Sequence, residues 1–343
     1  MIERLAVPVA FLISFAVCMI LTRHGAKDIP DGGRKDHEGP VSTLGGLGIA
    51  VGHLCALAVQ SFVSNPQIFS SEWRWLERID FVLPLLIAFG LGFLATGLLD
   101  DLKPLVPRTK LVLLAVLSTG VCLTVWYGLG GRNGPLGPLQ AAELLLAGGS
   151  LWIFVVVNAT NFMDGSNGLA MGSAAIMLCA LIALGAPALT LGFAIAGFLV
   201  LNLSGRLFAG DTGSLYVGYW VAALSLLGTA LGLYSIWIPP LIALTFLTDV
   251  ILTVVWRARR GGNVMQAHRE HAYQLLRRAG WGHLPVALLW WAMTAICGVI
   301  AVLAANTFDW RGEMATFLVV LAVSIGLWVW QRRAYWPRIS APG

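Results

Sequence analysis

Apolar positions in this chain neither alternate nor recur every three to four residues. They run together in blocks of roughly 15 to 22, separated by short polar segments. About 20 apolar residues is the length of helix that crosses the hydrocarbon layer of a bilayer. Lipid offers backbone groups no hydrogen-bond partner, so such blocks are expected to be helices rather than open strands. About eleven can be distinguished, at roughly 5–22, 44–63, 81–99, 109–127, 141–157, 169–184, 189–203, 214–231, 235–256, 286–304 and 315–331. The predicted fold is all-α: a polytopic membrane helix bundle of about 11 transmembrane helices, one integral membrane domain over residues 1–343, with no soluble domain. The block at 5–22 is long enough to span. Arg23, His24 and Lys27 follow it in place of a small-residue cleavage site, so it is expected to be a retained helix rather than a signal peptide.

Composition agrees with the pattern. Hydrophobic residues make up 58% of the 343 and charged residues only 11%, against about 25% charged in a soluble domain. All five cysteines lie inside apolar runs without metal-type spacing and read as small buried hydrophobes. The net charge of +5 does not point to nucleic acid, because the basic residues sit in short loops between apolar runs.

Those basic residues orient the chain. The sixth and seventh blocks are parted only by Gly185-Ala186-Pro187, so merging them is the main alternative. With eleven spans, Arg23, Lys27, Arg34, Lys35, Lys103, Arg108, Lys110, Arg206, Arg257, Arg259, Arg260, Arg269, Arg277, Arg278, Arg332, Arg333 and Arg338 share one side, 17 of the 22 Lys and Arg residues. Arg4, Arg74, Arg78, Arg132 and Arg311 take the other. Positive charge marks the cytoplasm, so the N-terminus is expected outside and the C-terminus inside. Merging the two blocks would put the six arginines of 257–278 outside, which rejects the merger.

Ionisable and amide side chains near membrane depth are costly and usually functional. Here they gather in the loops after blocks one, three, five, seven and nine, all on the predicted cytoplasmic side. Asp100 and Asp101 are adjacent carboxylates at the end of an apolar helix, where a divalent cation or basic groups would relieve their repulsion. Plain helix-end solubilisation is the competing account. Lys110, at the start of the next helix, can return to the same place and bind phosphate. The stretch 158–169, with Asn158, Asn161, Asp164 and Asn167 among glycines, is expected to be a tight loop rich in side-chain oxygens and free N–H groups, suited to a hard cation or a nucleotide. In 208–214, glycines flank Asp211 before a helix start, a place that takes phosphate on backbone N–H groups while Asp211 holds a metal. Phe208 is a candidate for stacking on a base, against simple packing.

His268 and His271 are spaced i, i+3 and would share a helix face. Zinc is weakly supported by that spacing; an anion-binding face with Arg269 and Arg277 fits better. In the first loop, Arg34 and Lys35 can guide an anionic lipid head group, and Gly45-Gly46 permits close helix packing. Asp249, inside the ninth block, is expected to pair with a loop arginine and set that loop's position.

Five motifs now stand in order: RKDHEGPVSTLGG (34–46), GLLDDLKPLVPRTK (97–110), NATNFMDGSNGLA (158–170), FAGDTGS (208–214) and AHREHAYQ (267–274). Together they resemble the polyprenyl-phosphate N-acetylhexosamine-1-phosphate transferases. The resemblance implies a UDP-N-acetylaminosugar donor, undecaprenyl phosphate as acceptor, Mg²⁺ (or Mn²⁺) as cofactor, UMP as leaving product, and a bacterial inner (cytoplasmic) membrane location with the site at the cytoplasmic face. It implies metal ligation by Asn161 and Asp211 and catalytic roles for Asp100, Asp101 and Asp211. Lys110 would bind phosphate, Phe208 would stack on uracil, and Asp164 and Asn167 would lie in the nucleoside loop with Asn158 beside them. His268, Arg269 and His271 would bear on sugar choice, and Lys35 on substrate. The muramyl-pentapeptide branch carries three consecutive histidines in the last motif. This chain has His-Arg-Glu-His, which implies the branch that starts O-antigen or capsule chains. A homodimer is the candidate assembly, and no nucleic acid partner is expected.

Three routes remain open at this stage. Asp100 is the general-base candidate, but a phosphate monoester is already largely dianionic at pH 7. The Asp pair can instead order metal and basic groups, or one of them can form an aspartyl phosphate. The rival class, a transporter or flippase, would place buried charge on both sides of the midplane; here it lies on one side. A non-catalytic paralogue is countered by the intact metal-site residues.

Overall fold

The computed structural model describes residues 3–24, 27–28, 39–63, 82–129, 142–263, 266 and 268–340. Lys35 and Arg34 fall outside them. Among the described residues the regular elements are helices apart from two 2-residue strands. In order, the elements are α1 (Glu3–His24), β1 (Lys27–Asp28), β2 (Val41–Ser42), α2 (Gly45–Val63), α3 (Val82–Leu102), α4 (Pro107–Gly128), α5 (Ala142–Met163), α6 (Leu169–Ala183), α7 (Leu189–Asn202), α8 (Gly210–Ala230), α9 (Ile238–Ile242), α10 (Leu244–Arg259), α11 (Ala272–Arg278), α12 (His283–Thr307) and α13 (Trp310–Ser340). Each of the eleven apolar blocks holds helix. Among the described residues α1, α3, α4, α5, α8, α12 and α13 are long and apolar enough to cross a membrane, and α2, α6 and α7 are shorter apolar helices. This is a multi-pass membrane protein.

Three departures from the sequence expectation matter. The ninth block is interrupted at Ala243 and divides into α9 and α10. Pro239 and Pro240 sit in the first turn of α9, where a missing N–H removes no helical bond. The stretch 158–163 is helix, not loop: α5 runs on to Met163, because its asparagines find partners without leaving helical geometry. Asn158 Nδ2 donates to the Phe154 carbonyl at 2.7 Å, and Asn161 reaches across to another helix. Finally, His268 lies outside any helix and His271 caps α11, so the two do not share a helix face.

Helix α8 is the hub. It is buried along nearly its whole length and packs against α2, α3 and α5. Such a helix must be apolar all round, unlike the outer helices, which expose large side chains such as Val319, Val323 and Leu327 to their surroundings. Helices α6 and α7 form an antiparallel hairpin. Asn202, at the end of α7, accepts from Gly168 N, just before α6, at 2.6 Å. The chain therefore goes out along α6 and returns along α7, as two antiparallel helices rather than one continuous helix.

Close backbone approach seats the N-terminus of α8. A methyl group on Gly97 of α3 would overlap the Asp211 carbonyl. Gly210 has φ +66°, and a side chain there would meet both the Thr43 carbonyl and the Asp101 carboxylate. Gly97→Ala is expected to push α3 off α8 and lower the thermal melting point by several degrees, since backbone cannot yield as a side-chain end would. A melting curve identical to that of the parent would refute the contact.

Candidate active site

The site is built on the first turn of α8. Its N–H groups have no intrahelical acceptor, as at any helix start. The acceptor comes from α3. Asp101 Oδ1 accepts from Asp211 N at 2.9 Å, and Asp101 Oδ2 accepts from Thr212 N at 2.9 Å and from the Thr212 hydroxyl at 2.6 Å. Asp101 thus caps a helix other than its own, with its charge at the positive end of the α8 dipole. Both of its oxygens are committed to that task.

Asp100 turns elsewhere. Its Oδ1 accepts from Leu105 N at 2.6 Å and so holds the α3–α4 turn, while Oδ2 accepts from Lys110 Nζ at 3.0 Å. The same ammonium contacts Asp211 Oδ2. The other oxygen of Asp211 accepts from Asn161 Nδ2 at 2.6 Å, and that amide also reaches Ser214 Oγ at 2.9 Å. Residues from α3, α4, α5 and α8 therefore converge on Asp211. The expected group of Asp100, Asp101, Lys110, Asn161 and Asp211 is one connected network. Ser214 and Thr212 join it; their hydroxyls one and three residues past Asp211 were the only sequence signal for them.

The first loop docks on the same place. Phe208 N donates to Ser42 O at 2.8 Å, Gly45 N to Phe208 O at 2.9 Å and Gly46 N to Ala209 O at 3.0 Å. These bonds fix Phe208 directly ahead of α8, half-buried. Asp164 follows α5 and is also half-buried. Burial, with the negative charges of Asp211 and Asp101, pushes its carboxyl well above the ordinary carboxylate range. Asn167 and Ser166 belong to a cluster that the motifs did not single out. His283 Nδ1 lies 2.9 Å from Ser166 Oγ and 3.3 Å from Asn167 N, and its Nε2 lies 2.9 Å from Arg277 Nη2. Asn158 is not part of the network, since its amide bonds within α5.

The 268–274 segment packs against the C-terminal end of α5. The His271 ring stacks near Phe162 at 6.0 Å and near Tyr273 at 6.1 Å, and the Tyr273 hydroxyl donates to Phe162 O at 3.1 Å. His268 and His271 stand 4.9 Å apart by ring centroid. Arg269 joins the segment through its carbonyl, which accepts from Arg278 at 3.4 Å. Asp249 does position this segment, but not through an arginine. It accepts from Ala272 N at 2.7 Å, at the start of α11, and from Thr253 at 3.1 Å, and it faces His271 Nδ1 at 3.7 Å. Arg257, in the last turn of α10, pairs instead with Glu270. The reason is reach: a helix start within range of a buried carboxylate offers N–H donors without the cost of burying a second charge.

Burial and the nearby charges of His271, Arg257 and Arg332 push the His268 imidazole down to about 4. In the unfolded chain it titrates near 6.5. Between those values the unfolded state binds more protons, so stability falls as pH drops from about 6.5 to about 4. His268→Gln should flatten that part of a melting temperature–pH curve. An unchanged slope would refute the assignment.

Residues 83–229 match the family model described as Glycosyl transferase family 4. A Bacillus subtilis (strain 168) protein described as a probable undecaprenyl-phosphate N-acetylglucosaminyl 1-phosphate transferase is 26% identical, covering 94% of this chain and 92% of its own. A decaprenyl-phosphate N-acetylglucosaminephosphotransferase of Mycobacterium tuberculosis (strain CDC 1551 / Oshkosh) is 27% identical over 92% of this chain and 84% of its own. Over residues 83–229 the chain is similar to glycosyl transferase family 4. A phospho-N-acetylmuramoyl-pentapeptide-transferase of Listeria monocytogenes serotype 4b (strain CLIP80459) is 28% identical over 84% of this chain and 96% of its own. Overall identity therefore does not separate these two kinds of relative. The stretch matched by the family model holds the three motifs that meet at Asp211, and the relatives extend the similarity over the first and last motifs as well.

Proposed function

We propose that this protein transfers an N-acetylated aminosugar-1-phosphate from a UDP-sugar to undecaprenyl phosphate, releasing UMP, and so begins a lipid-linked glycan. The observation that carries this reading is the convergence on Asp211. Two carboxylates, Asp100 and Asp211, hold the ammonium of Lys110, and a third, Asp101, caps the first turn of α8 beside them. Such a place suits a diphosphate with its cation. The relatives' names supply the acceptor class.

The donor set fits Mg²⁺. It consists of oxygen ligands, with Asp211 and Asn161 already in contact, and a half-turn of the Asn161 amide presents its Oδ1 in place of Nδ2. Among the described residues no group of three or more His, Cys, Asp or Glu is arranged to hold a metal without help. Mg²⁺ is usually held by one or two carboxylates together with substrate phosphates. Bound there, Mg²⁺ would neutralise the diphosphate and stabilise the charge on departing UMP.

In this reading a lipid phosphate oxygen forms a bond to the β-phosphorus, and the bond from that phosphorus to the bridging oxygen breaks. The electron pair leaves with UMP. Lys110 holds phosphate oxygens, and Asp100 aims Lys110 at them. Because the lipid phosphate is already largely dianionic at pH 7, Asp100 acts by orientation rather than by proton removal. Asp101, with both oxygens committed to α8, positions Asp211. Phe208 takes the uracil, with Asp164 and Asn167 near the nucleoside, while His268, Arg269 and His271 face the sugar. Lys35 belongs to the acceptor side. The His-Arg-Glu-His form of the last motif favours a simple aminosugar over the muramyl-pentapeptide donor.

The membrane arrangement follows from charge: eleven crossings, N-terminus outside, C-terminus and the Asp211 network at the cytoplasmic face of the inner membrane. The loops after blocks one, three and five each touch the one after block seven, and the one after block nine touches the end of α5, in keeping with an alternating path. The test is UMP release by purified protein with undecaprenyl phosphate, Mg²⁺ and a panel of UDP-aminosugars. Release only with lipid supports direct attack, release of one equivalent without lipid supports an aspartyl phosphate, and no release with any donor refutes the function.

A further inference from the structure

A second site lies away from Asp211, where the end of α10 meets the C-terminal turns of α13. A cavity of about 370 Å³ is lined there by Trp256, Trp328, Trp336, Pro337, Arg332 and Arg333. That volume falls in the range of small-molecule sites, roughly 300–1,000 Å³. Arg332 is its centre. The guanidinium lies 4.4 Å from the Trp328 ring centroid, 5.1 Å from Trp256 and 5.5 Å from Trp336. A second guanidinium, Arg260, lies 5.0 Å from Trp336 and 5.6 Å from Trp256.

Arg332 is only 4% exposed. Its Nη2 donates to the Glu270 carbonyl, but Nε and Nη1 have no hydrogen-bond partner among the described residues. Tryptophan faces attract a cation yet accept no conventional hydrogen bond from it. A buried guanidinium with idle N–H groups is expensive unless an acceptor arrives. The group that answers idle N–H donors on a cation is an anionic oxygen, of a phosphate or a carboxylate. The surroundings choose between them. Helix α13 has 31 residues, about 46 Å at 1.5 Å per residue, which exceeds a hydrocarbon layer of about 30 Å. Its last turns therefore reach the interface, where tryptophans gather and lipid phosphates lie. Basic pockets between membrane helices at that level take anionic head groups.

We propose that the cage of Trp256, Trp328 and Trp336 around Arg332 binds the phosphate of an anionic phospholipid. The bound lipid has a consequence for the 268–274 segment. Arg332 reaches the Glu270 carbonyl, and Gln331 Nε2 donates to the Ala272 carbonyl at 2.8 Å. Both bonds flank His271. Occupying the cage locks the arginine that holds this segment, so the lipid tunes the position of the segment without touching it.

The experiment is native mass spectrometry of the full-length protein in detergent, with phosphatidylglycerol or phosphatidylcholine added. One phosphatidylglycerol should be retained about tenfold more strongly than phosphatidylcholine, as charge-assisted recognition requires. Arg332→Gln should abolish that preference, while Arg311→Gln, on a guanidinium stacked over Trp310 at the other end of α13, should keep it. Because an Arg332 variant can fail to fold, Trp336→Leu provides a second reading and should weaken retention severalfold. Displacement of the lipid by millimolar inorganic phosphate would identify free phosphate as an alternative occupant of the same cage; resistance to it would identify the lipid. Equal retention of both lipids, or phosphatidylglycerol held as well by Arg332→Gln and Trp336→Leu as by the parent, overturns the proposal. Binding is read without donor or acceptor, so its failure leaves the transferase reading untouched.

Discussion

Asp211→Asn should lower UMP release by at least 10²–10³-fold, the effect of removing one charge-stabilising group from a preorganised site. The shape of the side chain is kept, and the α8 backbone stays held by Asp101. What is lost is the negative charge that faces Lys110 on one side and Asn161 on the other. The rate at saturating Mg²⁺ should therefore fall without a matching loss of thermal stability, and the Mg²⁺ concentration for half-maximal rate should rise. Measuring both with the preferred UDP-sugar checks the prediction. Full activity in Asp211→Asn would remove the metal assignment.

The neighbouring carboxylates should fail in different ways. Asp101→Asn keeps one oxygen acceptor and turns an NH₂ group toward the first turn of α8, where Asp211 N, Thr212 N and the Thr212 hydroxyl now share two oxygens. Leaving a buried donor without an acceptor costs about 1–3 kcal/mol. Activity and melting temperature should fall together. Asp100→Asn leaves α8 untouched and can still accept from Leu105 N. It loses only the charge that aims Lys110, so activity should drop with stability nearly unchanged. Turnover and thermal unfolding measured side by side distinguish the two. An equal loss of stability in both variants would refute the division of labour.

That division was not readable in the sequence. Asp100 and Asp101 are adjacent and chemically identical, and only the 100° turn between successive helical residues sends one to Lys110 and the other to α8. Asn158 and Asn161 raise the same problem. Both looked like loop residues because asparagine competes with the helix in isolation. In the protein α5 carries on past both, and Asn161 alone reaches a partner on α8. A single histidine at a helix start carries no motif, yet His283 ties Ser166 to Arg277. Asp249 holds the start of α11 through the Ala272 N–H rather than through an arginine, a partner that sequence spacing does not reveal.

Apolar block length and the placement of Lys and Arg need only one coordinate, depth in the bilayer. Membrane depth acts on each residue separately, so linear order suffices to locate the helices and to group the polar loops. Which loop atoms meet depends on lateral packing, which has no linear signature. Asp101 and Asp211 are 110 residues apart, and Asn161 and Asp211 are 50 apart. Asp101 meets Asp211 because Gly97 lets α3 lie directly on the start of α8, and Asn161 meets it where Gly218 of α8 lies against Thr160 of α5. The motifs at 97–110, 158–170 and 208–214 hold the residues of the Asp211 network. The packing of α3, α4 and α5 around α8 gave each residue its partner, because hydrogen bonds select by distance and direction in three dimensions.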